Sequence, residues 1–213
     1  MASIKKGILG GFSGKVGTVV GASWRGIDII RSLPKESQKE LSEKQLLQQD
    51  KFRIAVTFLQ PLKSIQSLYF GSGSGVKSRV NLATSYTISE AIQVVAGVPE
   101  LVYSKVLITK GELSGFQNAA VTMHAGGVVE ITWEDNSTQG NASAGDQVSV
   151  VCYCKDLKDF QIFEGIAVRS DLSITVTLPN FCVGKPIEVY IYLNTEKQTF
   201  ASNSFYLGAH TAI

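Results

Sequence analysis

Gln147-Val148-Ser149-Val150-Val151-Cys152-Tyr153-Cys154-Lys155 is the stretch whose reading decides the fold class. Val148, Val150, Cys152 and Cys154 recur at every second position, so an extended backbone puts them on one face, with Ser149, Val151 and Tyr153 on the other. The same short-strand pattern runs on both sides, divided by polar turn clusters. Upstream it covers Ala119 to Ala125 and Val128 to Trp133, with a polar turn from Glu134 to Gly145. Downstream it covers Gln161 to Arg169, Leu172 to Leu178, Glu188 to Leu193 and Phe200 to Leu207. Seven short strands within residues 114–213, with Trp133 at the end of an early one, predict an immunoglobulin- or fibronectin-like β-sandwich. Cys152 and Cys154 have same-face spacing, poor for a disulfide, and with Cys182 the cysteines are odd in number. Buried free thiols are expected.

Before the sandwich the period changes. Ser42 with Gln45 three residues on is a capping-box pattern, and Glu43 suits the positive end of a helix. Leu47, Ile54, Phe58, Leu62, Ile65 and Tyr69 then recur at near multiples of 3.6, with Phe52, Ala55, Val56 and Leu59 widening the stripe. Pro61 inside this run predicts a kink, or two helices meeting near Leu59-Gln60. Gly71 to Gly75 reads as a flexible loop. A second helix is expected from Ile88 to Val95, ended by Pro99, and a strand from Val102 to Thr109. The fold class is therefore α+β, in three parts. An apolar, glycine-rich extended arm covers 1–34, a mainly helical region with one short strand 35–113, and a β-sandwich 114–213.

The arm, Gly7-Ile8-Leu9-Gly10-Gly11-Phe12-Ser13-Gly14-Lys15-Val16-Gly17-Thr18-Val19-Val20-Gly21, is closed by Trp24-Arg25-Gly26. Ile27 to Ser32 leans towards strand, and with Val16 to Val20 it could form a hairpin or two edge strands around Gly21-Ala22-Ser23. Glycines interrupt the apolar run, which argues against a cleavable signal peptide, and no stretch of about eighteen apolar residues could span a bilayer. A cytoplasm or an assembled particle is the expected setting. The composition, 44% hydrophobic and 18% charged over 213 residues, is that of a folded protein. Charge is uneven. Residues 1–113 carry fifteen Lys and Arg against eight Asp and Glu, and residues 114–213 five against ten, so a net of +7 faces −5. That asymmetry permits head-to-tail contacts between copies, but it is far weaker than a nucleic-acid binder's footprint.

The search for chemistry returns little. His124 and His210 are the two histidines, and no His-Glu-x-x-His or Cys-x-x-Cys spacing supplies metal ligands. Gly71-Ser72-Gly73-Ser74-Gly75 lacks the strand before it that a nucleophile elbow or a phosphate loop requires. The paired acids Glu134-Asp135 and Asp156/Asp159 read as a solvated loop rim. Tyr86, Tyr103, Phe160, Phe163 and Phe181 could form a ligand platform, against the plainer reading of core or interface burial. Neither a cofactor nor a catalytic or metal-binding residue is expected.

The run Lys6 to Gly21, with Trp24-Arg25-Gly26 and Arg31-Ser32-Leu33-Pro34, resembles a family of proteins of unknown function from Bacteroidota. The resemblance extends to Tyr103-Ser104-Lys105-Val106 and Ala201-Ser202-Asn203-Ser204. It implies a bacterial or bacteriophage setting and brings no activity with it. The expected function is a non-enzymatic structural subunit of a homo-oligomer, filament or virion-type particle. Its partners would be copies of itself, with other structural subunits compatible. The assembly interface would be Ile8, Leu9, Phe12, Val16, Val19, Val20, Trp24 and Arg25, because glycines admit close backbone approach and alternating valines can add a strand to a neighbour's sheet. The alternative is a monomeric module binding a glycan or surface partner through sandwich loops, with Trp133 and Tyr153 as stacking groups.

Overall fold

The computed structural model describes residues 3–4, 11–24, 26–35, 40–72 and 77–213. The chain divides into two compact units, Met1–Ser42 and Glu43–Ile213. It is mostly β, and its C-terminal part is sandwich-like.

In the first unit, β1 (Ser3–Ile4), β2 (Phe12–Val16), β3 (Val19–Trp24) and β4 (Ile27–Ser32) form an antiparallel sheet in sequence order. The described part of the expected extended arm is thus a folded meander. Its turns fall at Gly17 (φ +57°) and Gly26 (φ +82°), backbone that glycine adopts without strain. The expected turn at Gly21-Ala22-Ser23 is instead the middle of β3, with Gly21 opposite Gly14 on one side and Ile30 on the other.

The second unit begins with α1 (Glu43–Leu59), directly after Ser42. A 3-10 turn, Gln60–Leu62, carries Pro61 and joins α1 to α2 (Lys63–Tyr69). The break falls where the proline places it, since Pro lacks the amide that would continue the helix. Phe58, Leu59, Leu62, Ile65 and Tyr69 are buried, whereas Phe52, expected on that face, is 54% exposed.

Two expectations for the next stretch are corrected. Helix α3 covers Arg79–Tyr86, with the Ser78 hydroxyl accepting from the Asn81 amide, and passes into a π-turn at Thr87–Ala91. The residues expected to continue a helix to Val95 form β5 (Ile92–Val95), paired with β6 (Val98–Leu101). Ala96 and Gly97, both at positive φ, make the tight turn between them. The expected strand Val102 to Thr109 holds a 3-10 turn at Tyr103–Lys105. Past it the chain is held by scattered bonds rather than a ladder, among them the Ser204 amide donating to the Thr109 carbonyl at 3.1 Å. The Ile108 amide donates to Ser204 Oγ, and Thr109 Oγ1 donates to the Ser202 carbonyl.

Seven strands form here, six where expected; the last, expected from Phe200 to Leu207, is displaced to Phe205–Thr211. They are β7 (Gln117–His124), β8 (Val128–Glu134), β9 (Gln147–Cys154), β10 (Asp159–Val168), β11 (Ser173–Thr177), β12 (Pro186–Asn194) and β13 (Phe205–Thr211). One sheet runs β11-β8-β7 and the other β10-β9-β12-β13, all antiparallel. Between the sheets lie Val129, Ile131 and Trp133 from one side, and Val150, Cys152, Val189 and Ile191 from the other. The outer face of the four-stranded sheet is also covered. Val151, Tyr153, Tyr190 and Tyr192 pack there against Phe58, Leu62 and Ile65. The helical region and the sandwich therefore share a second core and belong to one unit. A sheet covered on both faces explains why β9 and β12 are apolar at nearly every position.

Gly111 marks a point where two backbones touch. A Cβ there would strike the carbonyl oxygen of Ala201 and stand 2.9 Å from its carbonyl carbon, and neither atom can rotate aside. Gly111→Ala is expected to cost about 1–3 kcal/mol, the scale of overpacking, read as a lower urea midpoint with unchanged slope.

Candidate assembly interface

Of the eight expected interface residues, Phe12, Val16, Val19, Val20 and Trp24 lie among the described residues; Ile8, Leu9 and Arg25 lie outside them. Strand register sorts the five onto two faces. Gly14 opposes Gly21 and Val16 opposes Val19, so Phe12, Val16, Val19 and Ile30 share one face. Lys15 opposes Val20 and Trp24 opposes Ile27, so Val20, Trp24, Ile27 and Ile29 share the other, together with Lys15 and Arg31.

Both faces are apolar, and both are open. Val16 is 56% exposed, Trp24 51%, Ile27 57% and Ile30 69%. Among the described residues of this unit only Gly21 is buried. It lies beneath Phe12, where a Cβ would come within 2.6 Å of the ring. Every side chain of β4 is exposed, and β4 ends the strand order. Among the described residues its outer edge carries no partner strand, the arrangement that recruits another chain. Residues 1–42 hold seven Lys and Arg against three Asp and Glu, so the surface is cationic, at +4.

The other groups weighed for chemistry are dispersed. His124 Nε2 lies 2.7 Å from Glu130 Oε2 on an exposed sheet face, and His210 Nε2 lies 3.0 Å from the Leu207 carbonyl. Cys152, Cys154 and Cys182 are free and buried, and burial pushes the Cys152 thiol up to about 12. Asp135 accepts from the Ser137 amide at 2.9 Å, which holds its carboxyl below the usual range. Among the described residues no three His, Cys, Asp or Glu are grouped to hold a metal ion. Among the described residues no helix is long and apolar enough to cross a membrane.

Trp133 is not available for stacking. It is 5% exposed, and its indole N–H donates to the Arg169 carbonyl at 2.7 Å. Tyr86, Tyr103 and Phe160 are packed against the second core, Phe163 packs against the first, and Phe181 is 50% exposed. Sequence reasoning missed the buried pair Arg169–Asp146, which ties the turn between β10 and β11 to the loop between β8 and β9. It also missed the carboxylate of Glu188, 1% exposed, which pairs with Lys155 and accepts from the Tyr206 hydroxyl.

A model of the family of unknown function DUF6266 matches residues 11–208, and the chain belongs to that family. No curated protein matches it. One solved structure similar to part of the chain comes from a cytokine receptor complex, at 9% identity and a TM-score of 0.35. The likeness covers 54% of this chain, which spans 56% of that one.

Proposed function

We propose that this protein is a non-enzymatic structural subunit that assembles with copies of itself, using its N-terminal sheet as the contact. The observation that carries this reading is the four-stranded sheet with apolar side chains exposed on both faces. Water is a poor neighbour for Trp24, Ile27 and Ile29 together on one face, and contiguous apolar surface of this kind is usually covered in the working state. A small uncovered sheet has little stability of its own. Burying each exposed isoleucine contributes about 1.5–3 kcal/mol.

The occupant we infer is a second copy of the chain. The sheet unit carries +4, while residues 114–213 carry −5, so opposite surfaces attract when copies meet head to tail. The β4 edge offers the second means of contact, by strand addition. Ring closure would give an oligomer and failure to close a filament; a virion-type particle from Bacteroidota or their phages fits the same contacts. In this reading the sandwich is a fibronectin-like spacer. Its three-stranded sheet, built from the first, second and fifth strands, faces a sheet built from the fourth, third, sixth and seventh, an order that supports a Greek-key sandwich.

The test is the mass of the native protein, then of a variant lacking residues 1–33. We expect an oligomer or larger particle from the full chain and a smaller, monodisperse species from the deletion. An unchanged oligomeric state would sink the proposal. The alternative, a monomeric module using the Glu134–Asp146 loop, is weakened because Trp133 and Asp146 face inward.

A further inference from the structure

A cavity of about 320 Å³ opens between α1 and the β9–β10 hairpin, independently of the assembly surface. Its walls are aromatic. Tyr153 and Phe160 have ring centroids 4.6 Å apart, Phe58 meets each of them at 5.0 Å, and Tyr103 lies 5.7 Å from Tyr153. Phe58 meets Tyr153 and Phe160 edge to face, at 70° and 71°, while Tyr153 is tilted by 40° to Phe160 and by 31° to Tyr103; Phe58 and Tyr153 are buried and Tyr103 and Phe160 half-buried. The volume is at the lower end of ligand sites and fits one or two fused rings.

The rim is cationic. Arg53 and Lys158 both line it, and the Lys155 ammonium lies 4.6 Å from the centre of the Tyr103 ring, on the ion pair with Glu188. Arg53 is paired with exposed Asp50, 2.6 Å away, a contact worth little in water. Lys158 makes no ion pair among the described residues. It is also held at φ +54° in the turn closed by its amide on the Lys155 carbonyl. A side chain at that φ is strained, and turns of this kind favour glycine. The hairpin keeps a lysine there nonetheless. Local strain of this sort is found where a side chain has work beyond folding.

We propose that this cavity binds a planar aromatic anion, its ring against Phe160 and its negative group between Lys158 and Arg53. The aromatic walls supply apolar area and edge-to-face contacts. The two cations select charge, because an anion gains both of them at the rim, Lys158 outright and Arg53 in competition with Asp50, whereas a cationic ring would be repelled.

The test uses the full chain and three probes that share a ring and differ in charge: indole-3-acetate, the neutral alcohol tryptophol, and tryptamine. Titration followed by NMR should give saturable binding of indole-3-acetate, with tryptophol roughly tenfold weaker and tryptamine weaker still. The variant Lys158→Gly suits the left-handed backbone, so its stability should be equal or higher, while its preference for the anion should shrink severalfold. Adding Arg53→Gln should remove the preference. Equal affinity for the three probes, no saturable binding by about 10 mM, or full anion preference in the double variant would each overturn the proposal; a Kd of about 1 mM is already only −4.1 kcal/mol.

Discussion

Replacing Arg169 by alanine is expected to destabilise the second unit by about 3–5 kcal/mol, the cost of leaving one member of a buried ion pair without the other. For a chain of this length that is a fall of roughly 6–20 °C in Tm. Arg169 is 0% exposed and Asp146 1%. The guanidinium spends its donors on fixed acceptors. Nε and Nη2 reach Asp146 Oδ2 at 3.1 and 3.0 Å, Nη1 reaches Asn136 Oδ1 at 2.5 Å and the Gly115 carbonyl at 3.2 Å, and Nη2 reaches the Ser114 carbonyl at 2.7 Å. Asp146 in turn accepts from the Ser143 amide at 2.8 Å. Three chain segments converge on one cation, so alanine orphans a carboxylate, an amide oxygen and two carbonyls together. Asp146→Ala should cost a similar amount. The double variant Arg169→Met with Asp146→Leu removes both charges and should lose clearly less than the sum, a coupling of about 0.5–3 kcal/mol in chemical denaturation. A loss below about 0.5 kcal/mol for Arg169→Ala would mean that the network contributes nothing beyond a surface substitution.

That network also marks how far the sequence could be read. The sandwich strands were legible because alternation is local: Val148, Val150 and Cys152 declare their face within five residues, and β9 forms over Gln147–Cys154. The break at Gln60 was equally plain, since Pro61 acts on its own turn. Arg169 and Asp146 are 23 residues apart and Arg169 and Asn136 33, and nothing in either neighbourhood names the other. The hairpin β5–β6 was missed for a different reason. Ile88, Ala91, Ile92 and Val95 have helical spacing, but Ala96-Gly97 takes positive φ at both positions without the Asn or Asp that usually announces such a turn. The candidate interface was legible as composition only. Glycine and valine could be read as an arm, but which residues share a face depended on turns at Gly17 and Gly26, and moving either turn by one residue exchanges the faces.

Raising the pH above about 10 is expected to unfold the second unit steeply, because its tyrosines sit where a phenolate cannot. Tyr190 and Tyr192 are 0% and 1% exposed. Burial raises both hydroxyls, and the Glu188 carboxylate raises Tyr190 further. Burial also pushes Tyr153 up to about 12, and raises Tyr206 beside Glu188. An unfolded chain gives up these protons near pH 10, whereas the folded chain retains them. Above that pH the unfolded state binds fewer protons, so each retained proton lowers stability by about 1.4 kcal/mol per pH unit, until the folded group itself ionises. Tyr190 and Tyr192 alone give a slope of roughly 2.7 kcal/mol per unit, and two units would consume about 5 kcal/mol, the lower end of a typical domain's stability. Cys152, raised to about 12 by burial, starts a shallower loss near pH 9; below about pH 8.5 the whole contribution is intact. Urea midpoints measured between pH 8 and 11.5 should decline gently from about pH 9 and fall sharply past 10. Tyr190→Phe gives up the hydrogen bond to the Tyr103 carbonyl at 2.9 Å, about 0.5–1.5 kcal/mol at neutral pH. It also removes one titrating group, so its alkaline slope should be smaller by about 1.4 kcal/mol per unit. The two curves should therefore converge as the pH rises. A midpoint that stays level from 9.5 to 11.5 would mean that these phenols meet water in the folded chain.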